Sequence, residues 1–140
     1  MDIVDSKTRS RMMSNIKGKN TKPEMVLRRA LHQIGFRYVL HDKRLPGKPD
    51  MVFPKYRSVV FVHGCFWHQH QGCKNATMPS TRPDFWKNKL RGNVVRDRER
   101  IEELKYLGWR VLVVWECELS RNQFAYTVEN CRDWLLAGRD

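Results

Sequence analysis

Between positions 63 and 73 the chain carries three histidines (His63, His68, His70), two cysteines (Cys65, Cys73) and the aromatic pair Phe66-Trp67. Thiolate and imidazole are zinc ligands, and an imidazole left over is a proton acceptor near neutral pH. Cys65, His70 and Cys73 can ligate one ion from a single loop. The fourth ligand must come from elsewhere in the chain, and Cys117, just after a later apolar run, can supply it. The result is a Cys3His set with no open position, the pattern of a structural zinc site. The alternative is ordinary buried thiols with a satisfied histidine. Against it, so polar a loop needs something to order it, and zinc contributes folding free energy directly. His63 and His68 then remain. His68 stands two residues from His70, close to the metal-ordered body yet uncommitted, and is a candidate general base.

The elements that must position this loop can be read around it. Residues 58–62 form a β-branched run that breaks at Gly64, and strand ends feeding loops are where a rigid sheet holds functional side chains. Pro49-Asp50 introduces a second apolar strand, 50–53, and the tight 54–57 connection makes the two an antiparallel hairpin. A hairpin sets the start of one strand beside the end of the other, which brings Asp50 near residues 62–64 and towards His68. The plain alternative for Asp50 is a turn aspartate at a strand edge.

Upstream, Thr21-Lys22-Pro23-Glu24 is a capping box opening a helix with Leu27, Leu31 and Ile34 inward and Gly35 as its stop. Glu24 therefore has a structural explanation before any catalytic one. Residues 36–40 read as a strand. Downstream, Thr81-Arg82-Pro83-Asp84 is a second capping box, and the helix it opens runs to Leu107 and stops at Gly108. Leu90, Val94, Ile101 and Leu104 form its core face, and Arg91, Arg96, Arg98 and Arg100 its other face. Phe85 and Trp86 at its start fit a core position. Arg110–Trp115 reads as a fully apolar central strand that delivers Cys117. A last helix over 122–137 turns Phe124, Val128, Cys131 and Leu135 inward, which makes Cys131 a core residue and not a ligand. The order helix, three strands, helix, strand, helix predicts an α/β fold. Its mixed sheet is an antiparallel meander with one strand added in parallel by the crossover, and helices cover it.

The chain has 140 residues, 41% of them apolar, and a net charge of +12 with a pI near 10.0. This is one domain with a real core, spanning 21–140, preceded by a basic arm over 1–20. The charge points to a polyanion, with nucleic acid the default; no long amphipathic basic helix argues for a membrane surface. There is no 18-residue apolar run and no apolar stretch behind the charged N-terminus, so neither a membrane span nor a secretory signal is expected and the location is cytoplasmic. Four cysteines then read as metal ligands in a reducing compartment, not disulfides. In the arm, Met13 and Ile16 stand three apart, side by side on a helical turn. Either the arm folds on DNA and presents an apolar wedge, or it is a basic tail or a helix packed on the body.

The runs Leu45-Pro46-Gly47-Lys48-Pro49-Asp50 and Phe61-Val62-His63-Gly64-Cys65-Phe66-Trp67-His68 resemble the very short patch repair (Vsr) DNA mismatch endonucleases. So do Thr81-Arg82 with Phe85-Trp86, Asn93 with Arg96-Asp97, and Leu107-Gly108-Trp109-Arg110-Val111 through Trp115-Glu116-Cys117. The likeness runs in register over residues 5–120. It implies a restriction-endonuclease-like αβββαβ core with a structural zinc site. The implied activity is Mg2+-dependent nicking of one strand 5′ to the thymine of a T·G mismatch, the lesion left when 5-methylcytosine deaminates. The implied location is intracellular, on the nucleoid when bound to DNA. Implied partners are double-stranded DNA carrying that mismatch and mismatch-repair proteins. Asp50 would bind the catalytic Mg2+ together with the main-chain carbonyl of Val62. His68 would assist water attack, with Glu24 and His63 supporting the centre. Cys65, His70, Cys73 and Cys117 would hold zinc. Phe66, Trp67 and Trp86 would wedge into the duplex from the major groove, Met13 and Ile16 would enter opposite, and Asn93 and Arg96 would contact DNA. The wider nuclease fold places Asp/Glu-x-Lys on the strand after Pro-Asp. Here that strand reads Phe61-Val62-His63, so the resemblance implies a histidine mechanism. The histidine cluster also has one residue more than the family pattern before Cys73. A reading from a different class is a zinc-stabilised DNA-binding module without catalysis. Asp50 discriminates, because a pure binder gains nothing from a carboxylate set beside phosphates.

Overall fold

The computed structural model describes residues 20–138. The basic arm up to residue 19, with Met13 and Ile16, lies outside the described residues.

Strands β2 (Met51–Phe53) and β3 (Ser58–His63) form the expected antiparallel hairpin, with Met51 opposite Val60 and Phe53 opposite Ser58. A 3-10 turn over Pro54–Tyr56 joins them, closed by Arg57 in the left-handed region at φ 49°. β1 (Val39–Leu40) pairs antiparallel to β2 and is shorter than the 36–40 strand the sequence suggests. Phe36 leaves the sheet and fills the core instead, edge-on to Phe53 and Tyr56 at ring separations of 6.1 and 5.6 Å. β4 (Arg110–Trp115) pairs in parallel with β3, from Ser58 opposite Arg110 to His63 opposite Trp115. Among the described residues the order is β1-β2-β3-β4, so β4 is an edge strand there and not the central one. Its continuous apolar run has another cause: Val111 and Val113 pack into one core cluster and Leu112 and Val114 into the other. Coverage of both faces gives a strand the same composition as a central position does.

The helices follow from that two-sided sheet. α1 (Lys22–Gln33) and α3 (Phe124–Ala137) cover one face with Leu27, Leu31, Cys131 and Leu135, against Met51, Phe53, Val60 and Val114. α2 (Pro83–Tyr106) covers the other with Leu104 and Ile101, against Val52, Val59 and Phe61. Thr21 caps α1 as expected, accepting from the Glu24 N–H. Ile34, expected inward, is 50% exposed because it lies past the last turn as the C-cap. The second capping box does not form. Arg82 takes the cap position of α2 at φ 52° with no side-chain cap, and its guanidinium lies over the Phe85 ring at 4.5 Å. Cys131 is a core thiol as expected, and burial pushes its pKa up to about 12.

Parallel pairing of β3 and β4 brings both C-terminal ends to one side of the molecule. The long loop after His63 and the 3-10 turn Glu116–Leu119 therefore emerge side by side. Among the described residues no helix is long and apolar enough to cross a membrane.

Candidate active site

A cleft of about 860 Å³ opens at this end, bounded by the start of α1, the end of β3 and the middle of α2. Asp50, immediately before β2, stands in it. Its Oδ2 accepts the Val62 N–H at 2.7 Å. A residue in an extended strand points its N–H and C=O to the same neighbour, so the Val62 carbonyl faces the Asp50 side as well. Burial pushes the Asp50 carboxyl up to about 7. The Val62 N–H opposes that shift and the nearby Glu24 carboxylate adds to it. A carboxylate stripped of water beside another carboxylate is short of positive charge, and a hard divalent cation fits that need.

Glu24 is 1% exposed and does more than begin a helix. It accepts from the Asn20 N–H at 3.0 Å, from Arg28 at 2.9 Å and pairs with His41 Nε2 at 2.7 Å. His41 has no role in the sequence reading. It sits in the left-handed region at φ 47°. Its N–H donates to the Asp50 main-chain oxygen at 3.2 Å. Its Nε2 lies 3.8 Å from Asp50 Oδ1. Nothing in the local sequence marks it beyond a histidine in a polar loop; its partners are 9 and 17 positions away.

Across the cleft, His68 Nδ1 pairs with Asp97 Oδ2 at 2.6 Å. A carboxylate can only accept, so Nδ1 carries the proton and Nε2 is left as the basic nitrogen. Asp97 lies on α2 in a run that reads as a solvated charged face, which hides its role from sequence. His63 stacks on His68. Burial, reinforced by His68 and opposed by Asp97, lowers its pKa to about 3, so it is a neutral platform. His63, His68 and Asp97 bring ligand atoms within 4.8 Å. Parallel stacked rings direct their lone pairs along separate planes, however, and Asp97 already holds Nδ1, so this cluster suits proton handling and not an ion.

The thiols converge on the far side of the same loop. Cys65, His70, Cys73 and Cys117 all place a ligand atom within 4.8 Å of one another. His70 Nδ1 stands 3.6 Å from Cys65 Sγ and 3.4 Å from Cys117 Sγ. A tetrahedral zinc ion sets its S···N edges at roughly 3.5 Å, so the donor set and its spacing both fit zinc. The loop winds round this point through His70 N–H to Cys65 O at 2.9 Å and Cys73 N–H to His70 O at 3.2 Å. Gln69, left-handed at φ 47°, sends the histidines on either side of it in different directions. His68 reaches the cleft, whereas His70 reaches the thiols and stacks on Trp115 at 4.1 Å. The Glu116 carboxylate accepts the Cys65 N–H at 3.0 Å and ties the loop to the turn that carries Cys117.

Phe66, Trp67 and Trp86 form one aromatic cluster, with ring separations of 5.0, 5.7 and 5.9 Å, and Phe66 and Trp67 line the cleft. All three are partly exposed. Asn93 donates to the Trp67 carbonyl at 3.0 Å and accepts from Arg96 at 2.6 Å, so these two residues brace the loop as well as line the cleft. Lys89 and Arg100 add positive charge to the same wall.

Residues 1–75 match the family model of the DNA mismatch endonuclease Vsr. Over 119 residues the chain is 49% identical to the type II nicking enzyme V.XorIIP of Xanthomonas oryzae pv. oryzae, a match covering 85% of this chain and 87% of the relative. It is 48% identical over 119 residues to the type II nicking enzyme V.NmeAIP of Neisseria meningitidis serogroup A, covering 85% and 84%. It is 47% identical over 118 residues to the DNA mismatch endonuclease Vsr of Escherichia coli, covering 84% and 75%. The family match and these identities along most of the chain mean that this protein belongs to the DNA mismatch endonuclease Vsr family.

Proposed function

We propose that the protein nicks one strand of duplex DNA 5′ to the thymine of a T·G mismatch, by Mg2+-dependent hydrolysis of a single phosphodiester bond. That it is a DNA endonuclease follows from its family. The finer reading rests on one arrangement above all. Asp50 is held by the Val62 N–H in the same basic cleft as the His68–Asp97 pair. A binding module has no use for a buried carboxylate beside a proton acceptor there.

Asp50 and the Val62 carbonyl are the protein ligands for Mg2+. Bound there, the ion would neutralise charge on the scissile phosphate and stabilise the departing oxygen. His68 Nε2 takes the proton of the attacking water, while Asp97 holds the ring in the tautomer that can do so. His63 fixes the ring plane from behind without adding charge. Glu24, anchored by Arg28, supports the carboxylate side. Lys89, Arg96 and Arg100 hold phosphates, which positions the duplex but carries no sequence information.

Cys65, His70, Cys73 and Cys117 hold a structural zinc ion that keeps His68 and the aromatic cluster in place. Phe66, Trp67 and Trp86 enter the duplex from the major groove. A poorly stacked mismatch is cheaper to open than a paired step, so the wedge gains selectivity from the lesion. The arm over residues 1–20, with Met13 and Ile16, reaches the opposite groove, and mismatch-repair proteins are further partners. The deciding experiment incubates the protein and Mg2+ with matched duplexes carrying T·G, T·A or C·G at one position. A nick confined to the T strand of the T·G duplex is expected. Equal cleavage of all three duplexes would refute mismatch specificity, and binding without cleavage of any would favour the zinc-stabilised binding module.

A further inference from the structure

Four rings run in one unbroken series from the cleft to the thiols. His68 lies face to face with His63 at 3.8 Å, their planes 6° apart. His63 and Trp115 meet edge to face at 5.3 Å and 75°. Trp115 lies face to face with His70 at 4.1 Å and 6°. The indole therefore stands between the ring that backs His68 and the ring that belongs to the Cys3His cluster.

Sheet pairing puts it there. His63 and Trp115 are opposite one another in the parallel register of β3 and β4. Their side chains leave the same face of the sheet, because side chains alternate in step along paired strands. Trp115 is also fixed at its backbone, where its N–H donates to Glu118 Oε1 at 2.9 Å. Phe61 is another ring against His63, at 5.6 Å, but it comes from the same strand two residues back and does not tie His63 to β4. A second cavity of about 310 Å³ borders His63, His68 and Trp115 together, with Val94, Asp97 and Val113 among its other walls. A smaller side chain at 115 would open into that space. The surroundings close only partly round a truncated residue, so the histidine rings would gain room to turn.

We propose that Trp115 is a positioning residue for the proton-transfer step: its indole braces His63, and through it the ring plane of His68, against the Cys3His cluster. This rests on the reading of His68 as the group that takes the proton of the attacking water. Trp115 is not among the residues that line the cleft, so it acts through the histidines.

The test uses the zinc-bound full-length protein with 15N-labelled histidine rings. Ring signals are read by nuclear magnetic resonance, and nicking of a saturating T·G duplex is timed in a single turnover. Wild-type His68 should give one sharp Nδ1–H signal, because Asp97 holds that proton. The signal is assigned by its loss in His68→Gln. Trp115→Leu removes the indole. Its His68 signal should broaden, and its nicking rate should fall roughly ten- to a hundredfold, the range expected when a reacting group is displaced by about an ångström. Zinc content and duplex affinity should stay at wild-type values. Trp115→Met fills the gap with a flexible apolar chain, so it serves even if the leucine variant folds poorly, and it should show the same losses. Trp115→Phe restores a flat ring and should recover most of the rate. A wild-type rate and a sharp His68 signal in a zinc-bound leucine or methionine variant overturn the proposal. Zinc lost in step with the rate overturns it too, since Trp115 would then serve the metal cluster alone. A wild-type rate in His68→Gln refutes the reading of His68 as the base, while the ring signals still decide whether Trp115 orders His68.

Discussion

The imidazole rings of His63 and His68 lie face to face, their centroids 3.8 Å apart and their planes 6° from parallel. Burial keeps the inner ring, His63, neutral at working pH, and the outer ring, His68, holds Asp97 at its Nδ1. Rotation of His68 is thereby restricted by a flat surface on one side and a carboxylate at Nδ1.

That arrangement makes Asp97 testable. Asp97→Asn can still hydrogen-bond His68 but no longer selects the tautomer with the proton on Nδ1. Positioned proton transfer contributes typically a hundred- to ten-thousandfold to a rate, so the single-turnover nicking rate should fall by roughly that factor. DNA affinity and melting temperature should stay at wild-type values. A rate within a few-fold of wild type would remove Asp97, and with it this orientation of His68, from the chemistry.

Asp50→Asn should abolish nicking. It also removes a negative charge from a cleft built for phosphates, so duplex affinity in a mobility-shift assay should hold or rise. Near wild-type nicking by this variant would take Asp50 out of the centre.

Each purified chain should carry one zinc ion. Cys117→Ser should lower zinc content and melting temperature together, since metal binding is part of the folding free energy. Cys131→Ser should leave zinc content unchanged. Cys131 is buried, with its thiol pushed up to about 12, so a thiol reagent should modify it only after unfolding. Full folding in excess chelator, with no metal by elemental analysis, would contradict the zinc reading.

Trp67 and Trp86 pack on one another and on Phe66. Base–aromatic stacking is worth about 1–3 kcal/mol per base. Trp67→Ala should therefore slow mismatch nicking roughly ten- to a hundredfold. Because the rings support one another, Trp86→Ala should weaken discrimination in the same direction. The comparison is T·G against fully paired duplex at one salt concentration, since phosphate binding depends on salt. An unchanged preference in both variants would place recognition elsewhere.

Gly47 stands at φ 76°, and a Cβ there would meet Arg100 Cβ at 3.0 Å and Phe61 Cζ at 3.2 Å. Gly47→Ala should cost about 1–2 kcal/mol from the left-handed backbone, with the clash adding to it. The melting temperature should fall, and nicking with it, because the loop leads through buried Pro49 directly into Asp50. An unchanged melting temperature would mean that the loop gives way freely.

Much of this could be read from the chain. The hairpin of 50–53 with 58–62 announces itself by two short apolar runs either side of the tight 54–57 connection, and the Cys3His set by ligand chemistry that needs few alternatives considered. Cys131 was separable from those ligands because helical spacing put it with Val128 and Leu135. His41 was not readable, because its role depends on a left-handed backbone and on partners brought in by β1–β2 pairing. Asp97 was hidden by a helix whose other charges face solvent. The edge position of β4 was hidden for a related reason: composition records that both faces are covered, and not how many neighbours a strand has. The second capping box failed because Arg82 adopts a conformation that no short motif encodes.

Cys65 and Cys117 lie together although 52 positions separate them (117 − 65 = 52), and only because β4 has paired with β3. During synthesis, Cys65, His70 and Cys73 leave the ribosome first, as an incomplete three-ligand set. The fourth arrives after the whole of α2 and β4 has been made and has crossed back to the sheet. Closing the cluster is therefore a late event in maturation. A newly made chain stalled before β4 would leave the cluster open on the Cys117 side and would lack the strand against which His63 and His70 are both packed.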